Sequence, residues 1–414
     1  MKGNQMDKPL KGIRVTDFTW VVAGPFCTRT LKDMGAEVIK IEARPRPDTM
    51  RGYVNHHDDL GDAEPSRLGA FDHFNRDKMA ISVNAKHPSG LKLIKDLISV
   101  SDVVIENFRG GVLDRWGLGF DEMRKAKPDI IYLSMSGYGH TGPYKDYASH
   151  FHIAQAMSGY TAISGYENDI PVVTGAWGDT ISGLHASSAI TMALEHRNQT
   201  GEGQYIDGAN MTCISNVMTT AYLQQTINGD APGPTGNRMP HVNSYLEGAF
   251  RCQGEERWVA IGIYSEDEWI KFCNVIGKTE LISDPRFSEM NSRSENWGAL
   301  EKEIEHWTIT KNVDDIVNLL QQSGIGAALV SNVEDLVEHD PQLQHDNFYK
   351  SVPHSDPEFD TRIIENTVVK FSDVECSIEN GSPIIGEHND YVFQEILGLS
   401  PKEYSDFKED GVFF

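Results

Sequence analysis

The stretch "GDTISGLH" contains a single aspartate, Asp179, between Gly178 and a helical run that continues to Arg197. Two roles suit an aspartate at the start of a helix. Its carboxylate can cap the helix by accepting free backbone N–H groups, or it can act as a nucleophile that forms a covalent intermediate. The positive end of the helix dipole favours the ionised carboxylate in both cases. Residue type and position alone therefore leave both interpretations open.

The stretch "GYGHTG" (137–142) follows a predicted strand and has the glycine spacing of a dinucleotide-binding loop. Such a loop belongs to the first strand–helix unit of its fold, with an acidic residue about 20 positions later. Here the first unit carries "WVVAGPF" instead, and Pro143 directly follows the last glycine. We therefore predict an ordinary glycine-rich turn at residues 137–142.

Three histidines lie close together in the sequence: His140, His150 and His152. An H-x-H pair can place two metal ligands on one side of a strand, but no acidic or cysteine partner follows at a convincing spacing. The five cysteines are scattered, and no two of them are spaced as C-x-x-C. We therefore predict no metal site and no disulfide framework.

The stretch "ENFRGG" follows another predicted strand and places Asn107, Phe108 and Arg109 in a loop, with Arg115 six positions after Arg109. The planar fork of arginine donates two hydrogen bonds at once and suits phosphate groups. The loop is therefore either a phosphate-binding loop or an ordinary solvated loop, and its chemistry alone favours neither.

Alternating apolar strands and helices predict parallel β-α-β units in the first 140 residues. Helices are predicted from Gly24-Pro25, where proline suits the first turn, and over residues 88–100. Ligands of such open sheets bind beyond the carboxyl ends of the strands, where "WVVAGP", "ENFRGG" and "SGYGHTG" lie. The predicted strands are residues 13–18, 37–42, 102–108 and 129–136.

Three segments are predicted from the change in pattern along the chain. Residues 1–228 form a large α/β domain, and residues 229–325 form a smaller α+β domain that begins with the Gly/Pro-rich linker 229–240. Within this smaller domain, "GAFRCQGEERWVAIGI" predicts two strands around a polar turn. Residues 326–414 return to strand and helix signals and to the large domain.

Composition excludes several classes of function. A formal net charge of −24 over 414 residues argues against a nucleic-acid partner. No apolar run approaches the roughly 18 residues needed to cross a membrane, and "MKGNQMDKPLKG" lacks the apolar segment of a signal peptide. We expect a cytoplasmic protein without membrane or nucleic-acid partners.

Several of these stretches resemble the class III coenzyme A transferases, the family of formyl-CoA transferase and carnitine-CoA transferase. The similar segments are "LKGIRVTDFTWVVAGPFCTRTLKDMGAEVIKIE", "VIENFRGGVLDRWGLGFDEM", "GDTISGLHASSAITMALEHRNQTGEGQYID", "EHDPQLQHDNFY" and "GEHNDYVFQEILGLSPKEY". They span nearly the whole chain in the family's order. The resemblance implies a large α/β domain with an open, Rossmann-like parallel sheet built from both chain ends. It also implies a smaller α+β domain and an interlocked dimer.

The resemblance also implies a mechanism and a site. Asp179 matches the family's nucleophile, which attacks an acyl-CoA thioester and forms a mixed anhydride before coenzyme A passes to an acceptor acid. Coenzyme A is then a substrate, and no cofactor is bound permanently. The positions that match the family's CoA-binding residues are Val22, Ala23, Lys86, Asn107, Phe108 and Arg115.

The chain departs from formyl-CoA transferase around the implied acceptor site. Val22 replaces a glutamine, Phe151 and His152 replace a Tyr-Glu pair, and "GNRMPHVNSY" replaces a glycine-rich run. These changes remove groups suited to a small, oxalate-like acid. They predict a bulkier, partly apolar acceptor such as a benzylsuccinate-type dicarboxylate, with succinyl-CoA as one possible donor.

Two alternatives stay open at this point. An α-methylacyl-CoA racemase shares the fold and would use Asp179 with His150 or His152 to move a proton beside the thioester. The racemase pattern "GHDIN" is absent, however, since the chain reads "SHFHIAQ" there. A non-catalytic CoA-binding subunit of a heteromeric transferase is the other alternative. The expected assembly is accordingly a homodimer or a heteromer with a related subunit.

Overall fold

A six-stranded parallel sheet forms the centre of the larger of two compact units in the computed structural model. The structure describes residues 6–52, 69–237, 245–356 and 361–413. The strand order is β3-β2-β1-β4-β5-β6, which is the order of the doubly wound dinucleotide-binding folds. The strands are β1 (Arg14–Asp17), β2 (Glu37–Glu42), β3 (Met79–Ser82), β4 (Val103–Glu106), β5 (Ile131–Ser136) and β6 (Tyr205–Ala209).

Helices cover both faces of this sheet, so its central strands are buried, including polar residues such as Thr16 and Asp17 of β1. One face packs against α3 and the chain's C-terminal segment, and the other packs against α1 and α7. The helices up to residue 223 are α1 (Ala23–Asp33), α2 (Gly69–Asn75), α3 (Pro88–Ser99), α4 (Val112–Arg115), α5 (Phe120–Ala126), α6 (Phe151–Met157), α7 (Trp177–Thr200), α8 (Asn210–Asn216) and α9 (Thr219–Leu223).

The smaller unit has an antiparallel sheet with the order β7-β8-β9 and an apolar core of its own. As predicted, "GAFRCQGEERWVAIGI" supplies two paired strands around a turn. The elements of this unit are β7 (Leu246–Arg251), β8 (Trp258–Ile263), α10 (Glu266–Val275), α11 (Met290–Glu295), α12 (Trp297–Thr308), α13 (Val313–Gln322) and β9 (Gly326–Leu329).

The C-terminal part of the chain rejoins the larger unit. Asn389 accepts from the backbone of Ser82 at 2.8 Å, and the apolar residues Phe393 and Val412 complete the core beside α3. A capping box of Ser400 and Glu403 begins the last helix. The elements are α14 (Pro341–His345), the antiparallel pair β10 (Tyr349–Pro353) and β11 (Thr361–Glu365), and α15 (Pro401–Glu409).

Six shorter helical turns complete the secondary structure of the described residues. The 3₁₀ turns are Thr49–Gly52, Thr161–Ile163 and Thr279–Ile282, and the π-helical turns are Gln224–Asn228, Asp335–His339 and Tyr391–Ile396. In the described part of the chain, no helix is both long enough and apolar enough to cross a membrane.

The boundaries of the two units differ in detail from the predicted segments. The larger unit joins residues 1–161, 174–229 and 342–414, and the smaller joins 162–173 and 230–341. Residues 326–341 were expected in the larger domain, but β9 pairs with β8 and so belongs to the smaller unit. The last three residues of the predicted linker 229–240, and most of "GNRMPHVNSY", lie outside the described residues.

Candidate active site

Asp179 lies in the first turn of α7 but does not cap it. The helix begins at Trp177, and the capping position belongs to Ala176, which has no side-chain cap. Asp179 is therefore the third helical residue, and its own N–H donates to the Ala176 carbonyl at 3.1 Å. The capping interpretation is wrong because the chain enters the helix three residues before the aspartate. The carboxylate is left available for other contacts.

The Asp179 side chain is buried, with only 6% of its surface exposed. Burial raises the pKa of Asp179 to about 7, and the hydrogen bond from Asn210 lowers this pKa in part. The helix terminus was expected to keep the carboxylate ionised, but desolvation outweighs any such help. At neutral pH the group is therefore poised between its two protonation states, as is common for residues that take part in chemistry.

The first turn of α7 is held by two neighbouring helices. Gln155 of α6 accepts from the Gly178 N–H at 3.0 Å, and Asn210 of α8 donates from Nδ2 to Oδ1 of Asp179 at 3.2 Å. A Cβ at Gly178 would lie 2.5 Å from Ile214 Cδ1 and 3.0 Å from Gln155 Cγ. Glycine at this position allows α6 and α8 to approach the turn that carries Asp179.

One turn further along α7, Gly183 brings the helix against α1. A Cβ there would lie 2.7 Å from the carbonyl oxygen of Ala23 and 3.2 Å from the Cys27 backbone nitrogen. Both contacts are with backbone atoms, which side-chain rotation cannot relieve. The "GD…SG" spacing therefore places the beginning of α1 beside the turn that carries Asp179.

A cavity of about 620 Å³ opens beyond the carboxyl ends of β1 to β4. This is the edge at which ligands bind in open α/β sheets. Trp20 and Phe108 meet edge to face within it, with ring centroids 5.8 Å apart, and the Arg46 guanidinium lies 5.6 Å from the Trp20 ring centre. The cavity thus combines aromatic surfaces with cationic groups. Its lining includes Trp20, Arg46, Lys86, Phe108, Arg109 and Trp116.

The loop from Thr19 to Val22 connects this cavity to α1. The side-chain amide of Asn107 makes two hydrogen bonds to this loop: it accepts from the Trp20 N–H and donates to the Trp20 carbonyl, each at 2.8 Å. Val21 has a φ of 67°, which is strained for a β-branched residue. The fully buried Asp48 accepts from the Val21 N–H at 3.1 Å. Buried side chains therefore hold this loop in a conformation that it would not adopt alone.

The residues expected to bind CoA are distributed around this loop. Lys86 and Phe108 line the cavity, and Arg115 is exposed at the end of α4 next to Trp116. Val22 and Ala23 are buried at the start of α1. The amide of Asn107 is occupied by the backbone of Trp20, so within the described chain it shapes the loop.

The residues expected near the acceptor, Phe151 and His152, lie in the first turn of α6. They precede Gln155 by four and three residues, so they share its side of the helix. The His150 and His152 rings are nearly parallel, with centroids 6.3 Å apart. In the regions that the structure describes, neither Phe151 nor His152 makes a hydrogen bond to Asp179.

A second buried acid lies beside the cavity and was not singled out from the sequence. Glu106 ends β4, and burial raises its pKa to about 7. It accepts from the Phe108 N–H at 2.6 Å and also hydrogen-bonds Ser134, whose hydroxyl meets Nε2 of His140 at 2.6 Å. Glu106 therefore positions the loop that carries Phe108. The sequence signal that could have identified Glu106 was its position at the end of a predicted strand, directly before "NF".

The sequence analysis also did not single out four residues near Asp179 or the cavity: Asn210, Gln155, Trp20 and Trp116. Among the described residues, one group of three side chains is close enough to share an ion: Glu334, Glu338 and His339, all exposed. None of these contacts Asp179 or lines the cavity.

The chain matches CoA-transferase family III over residues 10–389. It is 30% identical to succinyl-CoA–D-citramalate CoA-transferase of Chloroflexus aurantiacus, with 97% of each chain covered. It is also 30% identical to the succinyl-CoA–L-malate CoA-transferase beta subunit of that organism, with 100% of each chain covered. Its structure resembles that of a CAIB/BAIF family protein from Brucella suis, with a TM-score of 0.85 and 30% identity over 94% of this chain and 100% of the other.

The larger unit thus combines a doubly wound α/β fold, a buried carboxylate and a cavity lined by aromatic and cationic side chains. The chain belongs to CoA-transferase family III. It is a CoA-transferase, and acyl-CoA is its substrate.

Proposed function

We propose that this enzyme moves coenzyme A from an acyl-CoA donor to a carboxylic acid through a covalent intermediate on Asp179. The observation that supports this most directly is the state of the carboxylate. Asp179 is buried, Asn210 holds Oδ1, and among the described residues nothing donates to Oδ2. One carboxylate oxygen is therefore positioned while the other is left for attack.

The proposed reaction begins when Oδ2 of Asp179 attacks the thioester carbonyl carbon. The carbon–sulfur bond breaks, coenzyme A leaves as the thiolate, and a mixed anhydride joins the acyl group to Asp179. The thiolate then attacks Cγ of Asp179 and displaces the acyl group as its carboxylate, which leaves an aspartyl-CoA thioester. The acceptor carboxylate reverses these two steps and departs as its CoA ester. Burial of Asp179 protects both intermediates from water.

Coenzyme A is proposed to occupy the 620 Å³ cavity with its nucleotide end. Lys86 and Arg115 supply positive charge for the phosphates, and Phe108 offers an aromatic face to the adenine. The pantetheine arm would then follow the loop to the backbone of Val22 and Ala23. This path leads toward Asp179 because the Ala23 carbonyl lies against Gly183.

Succinyl-CoA is the proposed donor, since two relatives carry it in their names. A bulky, partly apolar dicarboxylate of the benzylsuccinate type is the proposed acceptor. Phe151 and His152 would contact it from the first turn of α6, next to the Gln155 side chain that touches Gly178. Phe151 offers an apolar ring surface, and His152 can donate to a carboxylate.

The enzyme is proposed to act as an interlocked homodimer. Five large apolar side chains along α7 and the following helices are exposed, and burial of such surface would favour association. These are Leu184, Met192, Val217, Leu223 and Ile227, each at least 49% exposed. Because one relative is named a beta subunit, a heteromer with a related chain is the alternative. The mass of the purified chain in solution tests the homodimer directly.

Hydroxylamine trapping tests the covalent intermediate. Incubated with acyl-CoA alone, the enzyme should convert Asp179 to a hydroxamate, because both the anhydride and the thioester are activated acyl groups. Peptide mass spectrometry should find this adduct on the fragment containing "GDTISGLH" only when acyl-CoA is present. An α-methylacyl-CoA racemase would exchange the proton beside the thioester with solvent deuterium and form no hydroxamate. That result would refute the proposal.

A further inference from the structure

Asn210 is the side chain that contacts the nucleophile directly. It is the first residue of α8, immediately after β6, and its Nδ2 donates to Oδ1 of Asp179 at 3.2 Å. A carboxylate only accepts hydrogen bonds, so the amide must present its nitrogen here. The amide oxygen of Asn210 is buried and has no partner among the described residues. Among the described residues, the Asn210 amide therefore makes one hydrogen bond, and its acceptor is the carboxylate of Asp179.

This contact makes the two oxygens of Asp179 unequal. A donor on Oδ1 draws negative charge toward that oxygen, while Oδ2 accepts from no described group. When Oδ2 has bonded to the acyl carbon, Oδ1 becomes the carbonyl oxygen of the aspartyl half of the anhydride. The donor on Oδ1 is then correctly placed for the next step, in which the thiolate adds to Cγ.

We propose that Asn210 is a further catalytic residue, which directs the attack to Oδ2 and stabilises the negative charge that forms on Oδ1 when thiolate adds to Cγ. In that step a sulfur electron pair forms the S–Cγ bond, and the π pair of the carbonyl moves to Oδ1. The intermediate collapses when this pair returns, the Cγ–Oδ2 bond breaks, and the acyl group leaves as a carboxylate. The inference rests on the covalent mechanism proposed above.

The size of the effect follows from comparable donors in other enzymes. Removing one donor to a developing oxyanion slows the reaction by roughly 10²- to 10³-fold. The loss should fall on the formation of the aspartyl-CoA thioester. The preceding attack by Oδ2 places its new charge on the acyl oxygen and not on Oδ1, the oxygen to which Asn210 donates. Asn210→Ala should therefore slow the two steps unequally.

The test uses a donor acyl-CoA with one isotope in its acyl group and a second in its CoA moiety. The enzyme is mixed with this donor alone, quenched with acid, and digested, and both labels are counted on the Asp179 peptide over time. The experiment is run at pH 8.5, where Asp179 is largely ionised in the wild type. Asn210→Ala should acquire the acyl label within about 10-fold of the wild-type rate but the CoA label at least roughly 100-fold more slowly.

Two further variants control for structure. Asn216→Ala removes an amide from the other end of α8, where it contacts His185 rather than Asp179, and should match the wild type for both labels. Asn210→Ser keeps a short hydroxyl donor and should recover part of the CoA-label rate. It also provides a test if the alanine variant fails to fold: a CoA label slowed more than the acyl label supports the donor role, and wild-type rates for both labels contradict it.

The outcomes separate the inference from the proposed function. If the wild-type peptide acquires neither label, the covalent mechanism itself fails. If the wild type acquires both labels but Asn210→Ala loses both equally, Asn210 only supports the general reactivity of Asp179, and the inference is wrong. Unchanged CoA labelling in Asn210→Ala would also overturn it.

Discussion

Replacing Asp179 with asparagine should make the protein more stable at pH 8 while abolishing CoA transfer. Burial raises the pKa of Asp179 from 3.8 to about 7. A carboxyl group with a raised pKa in the folded state destabilises that state increasingly as the pH rises from the unfolded pKa to the folded pKa. Above about pH 7 the full penalty is present, because both states are then ionised.

The magnitude follows from these two pKa values. A difference between 3.8 and about 7 corresponds to roughly 4 kcal/mol at pH 8, but only to about 1.5 kcal/mol at pH 5. Little of this is screened by solvent, since the residue is 6% exposed. Asparagine keeps an oxygen for the Asn210 donor but buries an amide nitrogen without a partner, which costs about 1–3 kcal/mol. The net gain should therefore be about 1–3 kcal/mol at pH 8 and between about −1.5 and +0.5 kcal/mol at pH 5.

Urea unfolding of the wild type and Asp179→Asn at several pH values between 5 and 8.5 measures this difference. The stability difference should grow up to about pH 7 and then level off. Asp179→Ala serves as a second variant without any buried polar group. A difference that does not change with pH, or a variant less stable than the wild type at pH 8, would show that the carboxylate is not desolvated in the folded protein. Residual CoA transfer above a few per cent in Asp179→Asn, once deamidation has been excluded, would refute the proposed nucleophilic role of Asp179.

Three further results are expected. Gly183→Ala should lower kcat by roughly 10- to 100-fold, because the added Cβ would lie 2.7 Å from the Ala23 carbonyl oxygen and move α1 away from α7. Gly298→Ala is the control, since its Cβ would have no atom within 4 Å, and it should leave kcat unchanged in the same steady-state assay. Arg115→Ala should raise the apparent KM for acyl-CoA with little change in kcat or in the acceptor KM, and an effect confined to the acceptor would contradict its assignment. The KM for acyl-CoA should rise a few-fold as the pH falls below about 7, since protonated Glu106 accepts more weakly from the backbone N–H at position 108. Glu106→Gln should remove this pH dependence, and a pH profile identical to that of the wild type would count against the role of Glu106.

The central sheet could be predicted from the sequence because strand segments alternate with helical segments along the first 140 residues. β1, β2, β4 and β5 lie within the predicted segments. β3, Met79–Ser82, was not among the predicted strands. The boundary after β9 was missed because it depends on pairing with β8, more than 60 residues earlier in the chain. Pairing over such distances leaves no local signal.

The candidate site was predicted unevenly for the same reason. Asp179 could be located because the residues beside it form a recognisable stretch. Asn210 lies 31 residues away in the sequence and reaches Asp179 only because β6 turns directly into α8, which packs against α7. The family resemblance suggested a CoA contact for Asn107, and this contact stays a prediction. The structure adds that the Asn107 amide holds the backbone of Trp20, a contact with no local signal in the sequence.

The features that destabilise the fold locally lie where the chemistry is proposed. The positive φ of Val21 and the buried charge of Asp179 are both unfavourable in isolation. The first is held by Asp48, which is itself paired with the buried Lys40 at 3.0 Å. The second is held by helix packing that includes the contact between Gly183 and the Ala23 carbonyl. Because α1 joins these two places, a change that relaxes the strained loop also moves the helix packed against the turn of Asp179. The loop from Thr19 to Val22 and the turn that carries Asp179 are therefore expected to respond together to substitutions in α1.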